Sequence, residues 1–341
     1  MRYKGIVYDV GTIFAGNRST REQFDPAVMR REIEIIKHDL HCTAIRLCGQ
    51  DIGRLRETAA YALGQGLAVW FSPLLVEATQ EETLAYLAEC ADVAEALRQA
   101  SPDLIFLVGG ELTFYMKGLL KGEDAYARIR SFVSPAGLLR HMLSGRRWPG
   151  TRLNPFLARA VALVRERFQG QVSYAAGPWE TVDWRLFDAV GVNYYRDAQN
   201  VRWYRQGLQA YYTHGKPVAI TEFGCCTYAG AEAKGAAGWA IVDTSEERRK
   251  IKPGFQRSEE TQATYLKDLL ELYRQEPLEG AFVFTFAGYN LPTNPKPEYD
   301  LDMAGYGVVK VLPTSEKGTT YPDLPWEPKQ AFRVVAEQYN Q

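Results

Sequence analysis

The stretches Leu104-Ile-Phe-Leu-Val-Gly-Gly-Glu111 and Pro217-Val-Ala-Ile-Thr-Glu222 decide how this chain is expected to fold. Each is a short, unbroken apolar run, which is typical of a strand that is buried on both faces of a sheet. Each run ends in a glutamate. If both runs belong to one series of parallel strands, Glu111 and Glu222 lie at the same edge of the sheet, because parallel strands end on the same side.

Apolar runs of this kind recur along the whole chain, near residues 5–10, 42–47, 67–72, 104–110, 171–176, 188–194, 217–222 and 280–286. Segments with helical spacing of apolar residues lie between them, such as Met29, Ile33, Ile36 and Leu40. Asp25-Pro26 and the capping box Thr79-Gln-Glu-Glu82 mark two helix starts. A strand followed by a helix, eight times over, predicts an α/β fold with a single (β/α)8 TIM barrel over residues 1–341.

An open, doubly wound sheet is the alternative arrangement of alternating strands and helices. It would need a Gly-rich phosphate loop that opens a helix directly after the first strand. The segment Asp9-Val-Gly-Thr-Ile-Phe-Ala-Gly16 does not open a helix. The sequence therefore favours the closed barrel.

Three connections are much longer than the usual few residues: 112–151, 223–257 and 287–327, after strands four, seven and eight. All three leave the barrel at the carboxyl ends of the strands, the face that carries the active site in this fold. Their Trp, Tyr, Phe and Pro content argues against disordered insertions. We expect these connections to wall a cleft into a pocket that suits a short ligand or the end of a chain.

Bulk properties exclude several classes of partner. A net charge of −1 with both signs spread along 341 residues gives no basic stripe for nucleic acid. No run approaches the roughly 20 apolar residues of a membrane span. The amino terminus enters a strand at once, without the long apolar stretch and small-residue cleavage site that are typical of a signal peptide, and the five cysteines fit no zinc spacing. We expect a cytoplasmic protein with free thiols and no nucleic-acid or membrane partner, and the oligomeric state stays open.

The pair of carboxylic acids is the feature most suggestive of chemistry. A glutamate on a barrel strand is either a core residue in an ion pair or a catalytic group, and the carboxyl-end position favours catalysis. Two carboxyls that face one another across the barrel mouth can cleave a glycosidic bond by double displacement. One attacks the anomeric carbon while the other protonates the departing oxygen. Glu111 and Glu222 are thus predicted to be catalytic.

Short motifs around these glutamates resemble a known group of enzymes. Ile220-Thr-Glu-Phe-Gly224 resembles the nucleophile strand of the retaining glycoside hydrolases of clan A, and is close to the Ile-Thr-Glu-Asn-Gly form of family 1. Gly191-Val-Asn-Tyr-Tyr195 resembles the Asn-Tyr-Tyr segment of that family. Arg46, in Ala44-Ile-Arg-Leu-Cys48, occupies the place where the clan often has an arginine beside the nucleophile.

The resemblance implies a role for each matching residue. Glu222 would be the nucleophile, kept ionised by Arg46 and Tyr195, because a cation and a hydrogen bond both stabilise the charged form. Glu111 would be the general acid and base, which requires that it hold a proton before the first step. Asn193 and Trp179 would line the subsite of a carbohydrate substrate. For Trp179, a role in packing is an equally good alternative to a contact with substrate.

Two positions depart from the clan pattern. The clan normally has Asn just before its acid/base, where the amide binds the sugar 2-hydroxyl, and this chain has Gly110. The clan commonly has Trp at the end of strand eight, where Val283-Phe-Thr-Phe-Ala-Gly288 offers Phe286 as a substrate contact. Asp9, at the end of strand one, could bind a sugar hydroxyl or cap a turn. Glu180 is a third carboxylate, more consistent with a substrate contact or surface position than with catalysis.

Other kinds of site receive little support. The histidines fall in predicted helices or loops, not at strand ends, which argues against a metal-dependent hydrolase: His38, His41, His141 and His214. No nucleophile elbow or phosphate loop is present, and we expect no metal and no cofactor. The alternative hypothesis is a barrel that keeps its carboxylates but serves as a sugar-binding or defence and regulatory protein, which the Gly110 departure leaves open.

Overall fold

The computed structural model, which describes residues 1–14, 18–144, 150–245 and 248–341, is a closed barrel of eight parallel strands. This confirms the fold predicted from the sequence. In chain order, the strands of the barrel and of two additional two-stranded sheets are β1 (Tyr3–Asp9), β2 (Ala44–Gly49), β3 (Ala68–Pro73), β4 (Leu104–Gly110), β5 (Gln171–Ala176), β6 (Val190–Asn193), β7 (Val218–Phe223), β8 (Val242–Asp243), β9 (Lys250–Ile251), β10 (Gly280–Val283), β11 (Val309–Val311) and β12 (Trp326–Pro328). The barrel runs β1-β10-β7-β6-β5-β4-β3-β2 and closes on itself.

The α-helices of the described chain cover the outside of the barrel or lie in its connections. They are α1 (Pro26–His38), α2 (Ile52–Gly64), α3 (Gln80–Ala100), α4 (Leu112–Tyr115), α5 (Ala125–Val133), α6 (Pro135–Leu143), α7 (Gly150–Arg165), α8 (Tyr204–Gln209), α9 (Glu259–Arg274) and α10 (Gln330–Tyr339). None of the described helices is long and apolar enough to cross a membrane.

Both predicted helix starts are confirmed. The Asp25 side chain accepts a hydrogen bond from the Ala27 N–H at the start of α1, with proline in the first turn. At the start of α3 the Thr79 hydroxyl accepts from the Glu82 N–H, and the Glu82 carboxylate accepts from the Thr79 N–H at 2.7 Å. These bonds satisfy N–H groups that a helix leaves without an internal partner.

Apolar side chains fill both sides of the barrel wall. A compact inner cluster, which includes Val7, Trp70, Leu107 and Phe282, packs inside the barrel. A larger outer cluster joins the strands to the surrounding helices. Because nearly every strand residue is buried, the strands read as continuous apolar runs in the sequence.

The regular strand–helix alternation fails in one place, so that part of the prediction was wrong. Between β5 and β6 the chain forms only a single 3-10 turn, Trp184–Leu186, in place of an α-helix. The connection of residues 177–189 is short and contains Pro178. This part of the barrel is covered by Trp184 and Phe187, which are both buried.

The three long connections carry secondary structure of their own. The first contains α4, α5 and α6, the second contains the β8–β9 hairpin, and the third contains the antiparallel pair β11–β12. Residues 145–149 and 246–247 of these connections lie outside the described residues. The five cysteines are free thiols, as predicted.

Candidate active site

The barrel brings Glu111 and Glu222 to one cavity at the carboxyl ends of its strands. Glu111 directly follows β4, and Glu222 is the last residue but one of β7. The cavity has a volume of about 160 Å³. Its walls include Asp9, Arg46, Tyr115, Asn193, Phe284 and Tyr306 besides the two glutamates. The sequence prediction that both acids share one face is confirmed.

Glu222 is held by a cation and a hydroxyl. Arg46 Nη1 lies 3.1 Å from Glu222 Oε2, and the Tyr195 hydroxyl donates to Glu222 Oε1 at 2.7 Å. Both contacts are those expected from the strand positions. Arg46 is 4% exposed, so this ion pair is largely shielded from solvent. Such charge-assisted bonds stabilise an ionised carboxylate and fix its orientation.

Glu111 lies in a different environment. No lysine or arginine of the described chain forms an ion pair with it, and Asn193 Nδ2 donates to its Oε1 at 2.9 Å. Burial of the carboxyl, and next the negative charge of Glu222, raise the pKa of Glu111 to about 8, against the opposing effect of the Asn193 hydrogen bond. Glu111 therefore holds its proton at neutral pH, as an acid catalyst must.

Asn193 joins the two halves of the site. While its Nδ2 donates to Glu111, its Oδ1 accepts from Arg46 Nη1 at 3.2 Å and from the Thr221 hydroxyl at 2.9 Å. Two donors at the oxygen and one acceptor at the nitrogen fix the orientation of the amide. Asn193 thus lines the cavity, as predicted, but its amide is already engaged with protein groups.

Two supporting residues were missed at the sequence level. Ser72 accepts a hydrogen bond from Arg46 Nε at 3.3 Å, and the Thr221 hydroxyl orients Asn193. Ser72 sits near the end of β3, and Thr221 precedes Glu222 in β7. Polar residues in otherwise apolar strands were the available signal, because a buried hydroxyl needs a partner.

Little space is available beside Gly110. A Cβ atom at position 110 would lie 3.1 Å from Arg46 Nη2 and 3.2 Å from the Ala175 Cβ. Any larger side chain would therefore press on the guanidinium that holds Glu222.

Asp9 caps a turn, which is one of the two alternatives for this residue, and it also lines the cavity; a contact with a sugar hydroxyl stays a prediction. Its Oδ1 accepts from the Gly11 N–H at 2.9 Å. Burial raises the pKa of Asp9 above its ordinary value.

The positions of two predicted substrate contacts have to be corrected. Trp179 does not line the cavity; its ring packs on Phe114 at a centroid distance of 4.7 Å, and its Nε1 donates to the Thr113 hydroxyl. Phe286 is buried against Trp326, outside the barrel wall. The aromatic ring that lines the cavity after β10 is Phe284, two residues earlier. The alternation of side chains between the two faces of a strand could not reveal which phenylalanine lines the cavity, because β10 ends at Val283, before both of them.

Glu180 was expected at the surface or in contact with substrate, and it is neither. It is 8% exposed, and hydrogen bonds from protein groups occupy both of its oxygens. The histidines do not gather at the site either. Among the described residues no group of three or more His, Cys, Asp and Glu side chains is placed to hold a metal ion.

A second, larger cavity adjoins the first. Its volume is about 810 Å³, and Phe14, Thr20 and Asn290 line both cavities. Each of the three long connections contributes to its walls, for example through Tyr126, Arg249 and residues 311–317. The prediction that these connections wall a cavity at the carboxyl ends of the strands is confirmed, whereas its fit to a short ligand or the end of a chain stays a prediction. They leave a space several times larger than the one around the glutamates.

Searches for relatives give matches by structure alone. No family model matches the chain, and no curated protein sequence matches it. A GH113 β-1,4-mannanase superposes with a TM-score of 0.62 at 14% identity, covering 100% of both chains. The GH113 β-mannanase of Alicyclobacillus acidocaldarius gives a TM-score of 0.59 at 16% identity, over 99% of this chain and 97% of that one. A β-D-glucuronidase of Dictyoglomus thermophilum gives 0.57 at 13% identity, over 100% of this chain and 50% of the enzyme.

The chain therefore has the fold of these TIM-barrel glycoside hydrolases. At such low identity the likeness shows the fold alone, and the chemistry depends on the residues of the site.

Proposed function

We propose that the protein is a retaining glycoside hydrolase with Glu222 as nucleophile and Glu111 as general acid and base. The observation that carries this proposal is the contrast between the two carboxyl environments. Glu222 is bound by Arg46 and Tyr195, whereas Glu111 has no cationic partner in the described chain and a pKa raised to about 8. Two acids whose environments differ in this way can act as nucleophile and proton donor at one pH.

The proposed reaction has two steps. In the first, a Glu222 oxygen forms a bond to the anomeric carbon while the bond to the leaving oxygen breaks, and Glu111 gives its proton to that oxygen. In the second, water attacks the anomeric carbon, Glu111 takes a proton from the water, and Glu222 is released as carboxylate. The sum is hydrolysis of one glycosidic bond with retention of configuration, and neither step requires a cofactor.

The proposed substrate is a carbohydrate with more than one unit or with a bulky aglycone. The cavity around the glutamates has only about 160 Å³, whereas the adjoining one has about 810 Å³. A single sugar ring at the glutamates would leave the second cavity for the rest of the substrate. The mannanases and the glucuronidase of similar fold make β-mannosides and β-glucuronides the first substrates to test.

A panel of aryl β-glycosides tests the proposal. We expect the wild-type protein to hydrolyse at least one of them, with the β-anomer appearing first in the NMR spectrum of the products. A 2-deoxy-2-fluoro glycoside of the same sugar should label Glu222, which mass spectrometry of peptides would detect. Glu222→Ala should be inactive and unlabelled. Formation of the inverted anomer first would exclude double displacement.

The alternative, a barrel that binds sugar without cleaving it, makes the opposite prediction. In that case the same glycosides would bind but would not turn over, and neither the wild type nor Glu222→Ala would form any product.

A further inference from the structure

Three consecutive backbone N–H groups at the start of α4 tie the chain around Glu111 to the neighbouring strand β5 and the loop that follows it. They are Glu111 N, which donates to Ala175 O at 3.0 Å, Leu112 N, which donates to the Tyr174 hydroxyl at 2.8 Å, and Thr113 N, which donates to Glu180 Oε1 at 3.1 Å. Such N–H groups have no partner within the helix and must be satisfied from outside it.

This anchoring matters because Glu111 has an unusual backbone conformation. Its φ of 46° and ψ of 39° lie in the left-handed region, which a non-glycine residue occupies at a cost of about 1–2 kcal/mol. Such a conformation persists only where the surrounding contacts enforce it. The bonds of the next two N–H groups, to Tyr174 and Glu180, are therefore part of what aims the Glu111 side chain into the cavity.

Glu180 is the centre of this anchor. Its Oε1 accepts from Thr113 N and from the Thr113 hydroxyl at 2.8 Å, and its Oε2 accepts from Gly177 N at 3.0 Å. The Tyr174 hydroxyl lies 3.1 Å from Oε1 and 3.0 Å from Oε2. Four donors thus converge on one buried carboxylate that has no ion pair with any described residue.

The hydroxyl protons of this group have only one arrangement that satisfies every donor. Tyr174 already accepts a hydrogen bond from Leu112 N, and the Thr113 hydroxyl already accepts one from Trp179 Nε1 at 3.1 Å. Each hydroxyl therefore points its own proton at Glu180. Trp179 thereby takes part in the anchor, and an ionised Glu180 is the form that all of these donors fit.

We propose that Glu180 is a positioning residue that holds Glu111 in its catalytic orientation and keeps it protonated. Glu180 touches no part of the cavity and acts through Thr113, Tyr174 and its charge. The kinetic part of this inference rests on the proposed function, whereas its electrostatic part does not.

The charges around Glu180 support the second half of the proposal. The negative charge of Glu180 adds to the effects of burial and of Glu222 in raising the pKa of Glu111. Burial raises the pKa of Glu180 itself to about 7, against the opposing effect of its four donors. The titratable groups that face it are Glu111, Tyr174 and Tyr211. As the pH rises through about 7, Glu180 therefore acquires a negative charge that disfavours ionisation of Glu111.

Glu180→Gln tests the proposal through the choice of leaving group. An aryl glycoside with a good leaving group, such as 2,4-dinitrophenol, departs without a proton, whereas a poor one, such as methanol or a second sugar, needs the Glu111 proton. We expect kcat/KM of Glu180→Gln to fall about 10- to 100-fold for the poor leaving group, since small misplacement of a catalytic group has effects of this size. It should fall less than about threefold for the good one.

A structural role alone would lower both rates by the same factor, and that result would overturn the proposal. Glu276→Gln is the control, because Glu276 is also a buried glutamate with a tyrosine partner, pairs in addition with Arg205, and lines neither of the two cavities. It should leave the ratio of the two rates unchanged. Thermal unfolding of each variant reports whether the fold is kept.

A second measurement does not depend on activity. In protein labelled with 13C at the glutamate carboxyls, the Glu111 signal can be assigned by its loss in Glu111→Gln, and its titration can then be followed by NMR. We expect the pKa of Glu111 to be lower in Glu180→Gln than in the wild type. An unchanged titration would refute the proposal even if the wild-type protein cleaved no glycoside. The failure of this proposal can therefore be distinguished from the failure of the proposed function.

Discussion

At the scale of single residues, the site is defined by how two similar side chains are surrounded. Glu222 is bound by two charge-stabilising donors, while Glu111 accepts an amide hydrogen bond in a desolvated position. Asn193 connects the two environments, because it donates to Glu111 and accepts from Arg46. The difference in proton affinity that the proposed reaction needs thus comes from the neighbours and not from the glutamates themselves.

Tyr195→Phe should lower kcat on the preferred glycoside about 10- to 100-fold. It removes a 2.7 Å hydrogen bond to Glu222, and hydrogen bonds to charged groups contribute about 1.5–3 kcal/mol. Tyr194→Phe is the control, since the Tyr194 hydroxyl is bonded to the Tyr204 carbonyl and does not reach Glu222. Steady-state kinetics of both variants decide the matter: equal effects would mean that Tyr195 has no special relation to the nucleophile.

Glu111→Gln should make the stability of the protein less sensitive to alkaline pH. Because the pKa of Glu111 is raised to about 8 in the folded state, its contribution to stability is fully present below its unfolded pKa of about 4.3 and is lost as the pH rises through about 8. Relative to the wild type, the variant should gain free energy of unfolding between pH 5 and pH 9, with an upper limit of about 4 kcal/mol.

Urea unfolding at both pH values measures this gain. Glu166→Gln, at an exposed position, controls for the general effect of removing a carboxylate. An equal pH dependence in the wild type and Glu111→Gln would contradict the assigned proton affinity.

At the scale of elements, each of the two glutamates is held by groups from other strands of the barrel. The guanidinium of Arg46 on β2 crosses the barrel mouth to Glu222 on β7 and passes beside Gly110 at the end of β4. The start of α4 is likewise held by β5 and the loop after it. The position of each glutamate therefore depends on at least one element that is remote in sequence.

Gly110→Ala should reduce both activity and stability. Its Cβ would lie 3.1 Å from Arg46 Nη2, so the guanidinium, whose Nη1 binds Glu222, must shift by a few tenths of an ångström. We expect about a tenfold loss in kcat and a destabilisation of about 1–3 kcal/mol, the usual range for overpacking. Gly64→Ala is the matched control, because a Cβ there meets no atom within 4 Å. If Gly110→Ala keeps full activity, the arginine does not depend on that space.

At the scale of the whole molecule, the long connection after β10 is attached to the barrel by buried charges. Lys329, which is 1% exposed, lies 3.2 Å from both Asp302 oxygens, and Arg257 donates to Asp302 at 2.8 Å. Asp302 belongs to the connection after β10, Lys329 precedes α10 and Arg257 precedes α9. The connection that contributes residues 311–317 to the wall of the large cavity is thus held by two residues that precede the last two helices.

Asp302→Asn should destabilise the protein by about 3–5 kcal/mol, the cost of leaving a buried cation without its partner. Chemical denaturation provides the measurement. Asp323→Asn is the control, because the Asp323 side chain is 59% exposed and pairs with Arg31 only at 3.5 Å; it should change stability by less than about 0.5 kcal/mol. Equal effects of the two substitutions would show that the buried charges do not stabilise this connection.

The sequence by itself determined the barrel, its eight strands and the shared face of Glu111 and Glu222. These follow from local patterns, since strands buried on both faces need continuous apolar runs and parallel strands end on one side. The contacts of Arg46 and Tyr195 with Glu222 were also predictable, because strand-end positions and short motifs placed them there.

Only the tertiary structure decided which polar and aromatic side chains face the cavity and what each one binds. Asn193 bonds across the barrel to Glu111 and Arg46, Glu180 is buried by α4, and Phe284 takes the place expected for Phe286. These outcomes depend on groups far apart in sequence and on where a strand ends. Burial and hydrogen-bond partners are properties of the assembled fold, and no single segment of the chain contains them.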